Sequence, residues 1–471
     1  MQLNGFPLPA PKIPPVLDPT FRPAVFAMRH FRATAQAATQ PQKVRIALER
    51  DPDSISRFDL EILPQDHPHH ASNGFFLERL TKFLLWSRGG HRIWYSGPVA
   101  LGNELGNHYQ NTPTGQFDAD IMGNQIYEQP FEVRCVDPSE LPEERESTKP
   151  LGRHLKGCRI GFDLGASDRK VAAVIDGETV FSEEIPWDPK PQTDPDWHFK
   201  EINDSLKRAA DRMPKVDAIG GSSAGVFVRN RVKVASLFRG VPSALFDKKV
   251  KDLFLNIQKT WQNIPLEVSN DGDITALAGS MTLNQNAVLG VAMGSSEAAG
   301  YVNRAGNITS WLNELAFCPI DFQTNGAVDE WSGDRGCGVQ CFSQQAVGRL
   351  IPKAGLPIDP KLGLPEQLVK VQELMQQGDD RAALIYRTIG VWFGYAIAHY
   401  ADFYDFDYLL IMGRVTSGPG GEMIMEESRR VLNKEFPEQS EKVKFHIPDE
   451  KEKRHGQAMA AASLPVLDDM S

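Results

Sequence analysis

Arg159-Ile160-Gly161-Phe162-Asp163-Leu164-Gly165-Ala166-Ser167-Asp168-Arg169-Lys170-Val171-Ala172-Ala173-Val174 reads as two apolar strands folded about an acid-glycine-hydroxyl turn. The first strand delivers the Asp163 carboxylate to the turn. Gly165 can take a positive φ, so the turn can aim several backbone N–H groups at one anion. Val171 to Ile175 supply the returning strand. A plain structural hairpin shares this pattern, and only the residues further along the chain separate the two.

Four later segments bear on it. Val216-Asp217-Ala218-Ile219-Gly220-Gly221-Ser222-Ser223-Ala224-Gly225 is an apolar strand that runs into a glycine- and serine-rich turn, suited to the edge of a phosphate or sugar pocket. Leu266-Glu267-Val268-Ser269-Asn270-Asp271-Gly272-Asp273 places the Asp271 carboxylate at a strand end, before a small-residue helix over 274–280. There it can act as a base, or simply cap the helix. Residues 287–293 form a buried strand opening into Gly294-Ser295-Ser296-Glu297-Ala298-Ala299-Gly300, a second small-residue turn. Two such turns can clamp one phosphate chain. Tyr408-Leu409-Leu410-Ile411-Met412-Gly413-Arg414-Val415 is a buried strand leading to a helix, the kind of corner over which a nucleotide base and ribose lie.

In this order the segments resemble the ROK family (repressors, open reading frames and sugar kinases), from about Cys158 to the C-terminus. The family's D-x-G-G-T-K turn is matched by Asp163, Gly165, Ala166, Ser167 and Asp168, its N-D-A-N by Asn270-Asp271-Gly272-Asp273, and its G-T-G by Gly294-Ser295-Ser296. Leu312-Asn313-Glu314-Leu315-Ala316-Phe317-Cys318-Pro319 is similar to G-E-x-G-H-x-P, and Gly413 falls in the G-G-G-V corner.

The resemblance implies an α/β, two-lobed actin-like (ribonuclease H-like) ATPase fold: lobe I over 158–275, lobe II over 276–454, and a helix over 455–471 returning to lobe I. It implies ATP and Mg2+ as cofactors and a carbohydrate as acceptor. Asp271 would be the general base; Asn270 and Glu314 would bind the acceptor. Asp163, Gly165, Ser167, Gly294, Ser295, Ser296, Gly413 and Arg414 would hold nucleotide and phosphate, with Asp163 reaching Mg2+ through water. A homodimer is the expected assembly.

The departures from the family pattern fall where sugar and zinc bind. Phe317 stands for the histidine, Ser343 for the glutamate of C-L-E, and Ser236 for an asparagine. Buried sugar hydroxyls would lose partners, so an acceptor other than plain glucose is expected. Of the C-x-C-G-x-x-G-C pattern only Cys337, Gly338 and Cys341 remain, with Arg335 at the first cysteine, so no family-type zinc site is expected. Asp168 and Glu297 make both phosphate turns acidic unless Mg2+ or Arg169 compensates. A carbohydrate kinase and a catalytically silent sugar-binding or regulatory protein both stay open.

Composition narrows the rest. The 471 residues carry 61 acidic against 51 basic side chains, a net charge of −10, which disfavours nucleic acid as a partner. Five cysteines are too few and too odd in number for a disulfide scaffold, and neither a signal peptide nor a membrane-length apolar run is evident, so a cytoplasmic protein is expected. The charged, proline-broken stretch 137–157 reads as a linker. Before it, residues 1–150 are expected to form a proline-rich arm and a small α+β accessory domain. Seven prolines up to Pro23 favour an extended arm lying on its own body or on a neighbour. Phe75, Phe76, Leu80, Phe83, Leu84 and Trp86 give a helix an apolar face, and Ile93 and Tyr95 mark a strand. Residues 101–125 read as a solvated loop, His67, His69 and His70 as a polar turn, and the apolar helix 382–400 as core.

Overall fold

The computed structural model describes residues 2–3, 5–146, 151–448 and 450–467. Residues 147–150 of the expected linker and 468–471 of the expected last segment lie outside the described residues.

The proline-rich arm lies on its own chain. Its backbone N–H groups at Ile13 and Leu17 donate to Tyr395 Oη (3.3 Å) and Thr388 Oγ1 (3.2 Å). It leads into α1 (Ala24–Ala37), β1 (Gln42–Asp51), β2 (Ser54–Ile62), α2 (Asn73–Arg88) and β3 (Arg92–Ser96). Residues 101–125 are not a loop but two α-helices, α3 (Val99–Asn111) and α4 (Pro113–Ala119), and the start of a π-helical stretch, Asp120–Tyr127. Their polar residues concealed a narrow apolar stripe. Leu101, Leu105 and Tyr109, spaced by four, are buried on one face of α3. Thr112 accepts from Gly115 N and Pro113 opens α4, two helix-start signals that the asparagines and glycines outweighed in the sequence. β4 (Glu132–Cys135) completes a sheet of order β2-β1-β3-β4.

The expected hairpin is present as β5 (Cys158–Leu164) and β6 (Asp168–Ile175), extended by β7 (Glu178–Pro186) and packed by α5 (Pro195–Ala210). β8 (Ala218–Ser223), the small hairpin β9 (Val226–Val228) and β10 (Arg231–Val234), α6 (Leu253–Thr260) and β11 (Leu266–Asn270) complete lobe I. Its sheet order is β11-β8-β5-β6-β7, with β11, β8 and β5 parallel. α7 (Asp271–Leu283) then leads to β12 (Val288–Met293) and β13 (Glu297–Val302). α8 (Gln344–Ala354), α9 (Leu364–Gln376) and α10 (Asp380–Tyr400) precede β14 (Tyr408–Met412), α11 (Pro419–Glu435) and β15 (Lys444–His446). This second sheet has the order β13-β12-β14-β15. The chain ends on α12 (Glu450–Ala462).

The two largest cores among the described residues hold most of these layers. Lobe I has its own, built from residues such as Ile160, Phe162, Leu206 and Phe254. The N-terminal sheet and lobe II share the other: Phe31, Leu48, Phe83 and Trp86 belong to one continuous cluster with Val291, Trp392, Phe393 and Leu409. The N-terminal α+β layer is therefore packed as part of lobe II. α10 is buried nearly all round, beneath the arm.

α12 lies directly on the lobe I sheet. A Cβ at Gly161 would come 1.7 Å from Ala458 O, and one at Gly220 would come 1.7 Å from Ala461 O. Two glycines on adjacent strands thus let a helix backbone rest on the sheet. Gly220 serves this packing, whereas in the sequence it reads as part of a ligand turn. Gly220→Ala forces that contact apart and is expected to destabilise lobe I by about 1–3 kcal/mol, as overpacking does. Urea unfolding followed by tryptophan fluorescence checks it, and an unchanged midpoint would refute the packing role.

Candidate active site

Parallel pairing brings the C-terminal ends of β5, β8 and β11 together, with Ser222 level with both Asp163 and Ser269. In an open α/β sheet this edge is where ligands bind. Ser222 Oγ donates to Asp163 Oδ1 at 2.6 Å. Burial pushes the Asp163 carboxyl up, and the Ser222 hydrogen bond and the Lys170 ammonium pull against it. Lys170 Nζ stands 3.8 Å from Asp163 and 3.7 Å from Asp168.

The cation at this turn is therefore Lys170. Arg169, expected as the compensating charge, points to the other face of the strand, where it is bound to Glu201 and Ser205. Successive strand residues face opposite ways, and Lys170 is directly opposite Asp163 in the hairpin.

At the head of α7 the helix cap belongs to Asn270. Its Oδ1 accepts from Gly272 N (2.7 Å) and its Nδ2 donates to Gly225 O (2.7 Å). Asp271 is thus left with one local acceptor contact, from Gly272 N at 3.0 Å. Burial, and then the neighbouring Asp163 charge, push its carboxyl up to about 6. Asp273, in the first turn of the helix, is pushed up to about 7 by burial, against hydrogen bonds from Asn313, the Tyr301 backbone and Ser269. Glu314 rises to about 7 through burial and the charges of Asp271 and Asp273. Among the described residues no ion pair reaches any of these three carboxyls, whose mutual repulsion and shared burial keep them poised between charge states near neutral pH.

Asn270, Asp273 and Glu314 line a cavity of about 280 Å3, walled by Trp311, the turn at Gly225 and, from the N-terminal layer, Tyr127. A second cavity of about 360 Å3 lies between α7 and β14, lined by Lys170, Thr275, Ala278, Met412, Gly413 and Arg414. Gly413 has φ 102°, and a Cβ there would meet the backbone of Met293 at 2.4 Å.

The structure brings the predicted residues together in two groups, Asp163 with Asn270, Asp271 and Glu314, and Gly413 with Arg414. The predicted phosphate turns stand apart from both cavities. Gly165 N donates to Asp168 O and Gly294 N to Ser296 O, each at 2.9 Å, while Ser167, Ser295 and Ser296 are exposed. Glu297 does not add charge beside the second turn. It is buried against Tyr400, whose hydroxyl donates to it at 3.1 Å, and burial pushes its carboxyl up to about 8, so it is mostly neutral at pH 7.

The residues that depart from the family pattern have structural partners. Phe317 lies on Trp86 with ring centroids 4.1 Å apart, and Ser343 caps α8. Cys318, Cys337 and Cys341 are buried free thiols, and among the described residues no three His, Cys, Asp or Glu side chains group as a metal site. Three residues of the site escaped the sequence reading: Lys170, Asp273 and Asn313. Lys170 was recoverable from hairpin register and Asp273 from its place in the N-D-A-N match. Asn313 carried no local signal.

Raised carboxyls make stability depend on pH. Groups protonated up to about 6 to 7 in the fold, but only to about 4 when unfolded, favour the folded state at low pH, and that contribution is lost as pH climbs from about 4 through about 7. Asp273→Asn is therefore expected to lose less thermal stability than wild type between pH 5 and pH 8. Parallel melting curves decide it, and equal losses count against the raised Asp273.

No family model and no curated protein matches the chain. Among solved structures it is similar to a ROK hexokinase from Thermus thermophilus, at 17% identity and a TM-score of 0.51, over 64% of this chain and 97% of that one. It is also similar to a ROK family transcriptional regulator, a homolog of the E. coli MLC protein, at 16% identity and a TM-score of 0.50, over 66% of this chain and 78% of that one. At such identities the likeness is one of architecture: this chain has the two-lobed, actin-like α/β fold of the ROK proteins.

Proposed function

We propose that this protein is an ATP-dependent carbohydrate kinase with Asp271 as its general base. One observation carries the proposal: at the cleft where three strand ends meet, Asp271 is half-buried, unpaired by any cation among the described residues, and raised to about 6 by desolvation and the Asp163 charge. A base works best when its pKa is close to the working pH, yet low enough to leave it ionised.

Asp271 accepts the proton of an acceptor hydroxyl as that oxygen becomes the nucleophile. Asn270, fixed by its cap, sets the start of α7 and hence the place of the base. Glu314 and Asp273 accept hydrogen bonds from further hydroxyls and so orient the acceptor.

The donor side fits a nucleotide. Ala278 and Met412 offer apolar surface, and Lys170 and Arg414 bring positive charge to the same cavity. Asp163, held by Ser222, is the carboxylate available to a hydrated Mg2+. When bound, Mg2+-ATP supplies the phosphoryl group and neutralises part of its charge. Lys170 screens Asp163 and Asp168 from incoming phosphate.

Asp271→Asn is expected to lower kcat about a hundred- to ten-thousandfold with nucleotide binding retained, and wild-type kcat/KM to fall below a pH of about 6. ADP release over a panel of hexoses, amino sugars and polyols reads both. Wild type and variant turning over equally would remove Asp271 as base. Lys170→Met should weaken nucleotide binding about ten- to hundredfold, the worth of one charged hydrogen bond, in isothermal titration.

The second reading, a catalytically silent sugar-binding or regulatory protein, draws support from Phe317 and Ser343, which occupy acceptor positions yet serve packing and capping. Sugar binding without any ADP release by the wild type would select it.

A further inference from the structure

The loop that carries Glu314 is held by a helix from the N-terminal layer. The last carbonyls of a helix have no partner within it. At the end of α2 those of Trp86, Ser87 and Arg88 accept from the backbone N–H groups of Glu314 (2.9 Å), Asn313 (3.0 Å) and Leu312 (3.3 Å). The Arg88 side chain ties the same corner, lying 3.5 Å from the Trp311 ring centroid and 4.6 Å from that of Tyr404, and donating to Phe403 O.

Asn313 sits in this corner with φ 54°, a left-handed conformation that Asn accepts more readily than most residues. It is only 2% exposed. Both ends of its amide are engaged: Tyr404 Oη donates to Oδ1 at 3.1 Å, and Nδ2 donates to Asp273 Oδ1 at 3.0 Å. Asp273 lines the cavity, and its Oδ2 accepts from Ser269 Oγ at 3.4 Å.

We infer that Asn313 is a positioning residue for Asp273, and that α2 sets its place, which makes the N-terminal layer a part of the acceptor site. The inference rests on the kinase reading for what the cavity holds, not for the geometry. The chain of contact runs from the α2 carbonyls to the Asn313 backbone, and from the Asn313 amide to the Asp273 carboxylate. Asp273 also faces Asp271 of its own helix, Glu314 of the docked loop, the Tyr301 N–H of β13 and, beyond Asn313, Tyr404. The amide of Asn313, at 3.0 Å, is a closer side-chain donor to Asp273 than Ser269 at 3.4 Å, and it opposes these acidic neighbours.

Asn313→Gly keeps the left-handed backbone at no steric cost and removes the amide alone. The acceptor KM is expected to rise about tenfold, the worth of one hydrogen bond to a charged group, with kcat within about twofold. Asn313→Asp, which keeps the side chain's shape but turns an oxygen toward Asp273, should raise KM further. A readout without substrate accompanies these: thermal stability lost between pH 6 and pH 8 should be greater in Asn313→Gly, which adds no titrating group, than in wild type, and that excess should vanish in the Asp273→Asn background. Unchanged KM in a wild type that turns over, or an excess that survives Asp273→Asn, overturns the inference. A wild type that phosphorylates no acceptor sinks the kinase reading alone, and the stability comparison then decides the role of Asn313.

Discussion

Asp273 is buried and Asp271 and Glu314 are half-buried beside it, with no cation paired to any of them among the described residues, and much of the architecture exists to make that tolerable. A buried carboxylate without a partner costs several kcal/mol in real proteins, and here each lowers its cost by holding a proton part of the time. Such an arrangement survives only on a rigid support. Three parallel strand ends, a capped helix and a loop pinned to α2 supply it, and each contributes one of the three carboxyls or fixes its neighbour.

The contrast with the other buried charges of the molecule is instructive. Lys82, on α2, is fully buried but pairs with Asp118 at 2.8 Å and Asp334 at 3.1 Å. Arg79 joins the same cluster through Asp334. This balanced group ties the N-terminal helices to the segment bearing Cys337, and its charges hold Asp334 well below the usual carboxylate range. In the sequence that segment is a damaged zinc pattern. The structure gives it an ammonium from residue 82 instead, together with the Phe317 and Trp86 rings, so the loop is fastened by the N-terminal layer. In this cluster the buried charges are matched, whereas at Asp271, Asp273 and Glu314 no cation pairs with them among the described residues.

This division explains what could be read from residues alone. The hairpin at Asp163, the helix start at Asp271 and the corner at Gly413 are local patterns of strand, turn and small residue, and each occupies the expected element. Lys170 and Arg169 were distinguishable by strand alternation, which the sequence reading did not apply. Glu297 misled because charge was counted without burial, and burial against Tyr400 cancels most of it. Residues 101–125 misled because asparagine and glycine were weighed above the Leu101-Leu105-Tyr109 stripe. Asn313 was out of reach altogether: its partners are residues 87, 273 and 404, and no short-range pattern joins them.

The N-terminal layer also bears on how the two lobes can move. It belongs to lobe II by its shared core, yet it reaches lobe I through Glu128, which accepts from Lys233 at 2.7 Å and Lys251 at 2.9 Å and is held down to about 2. Lys233 is buried, so separating the pair would strand an ammonium away from water. The cavity lined by Asp273 and Glu314 lies just inside this contact, between Tyr127, which precedes Glu128, and the turn at Gly225 that leads into β9. Opening the cleft at its mouth therefore means parting the ion pairs of Glu128, whereas α12 on Gly161 and Gly220 keeps the opposite side joined. Access to the carboxyls is thereby coupled to a charge cluster to which the first 150 residues contribute Glu128 and lobe I the lysines, which is the physical reason to regard those residues as one machine with the lobes.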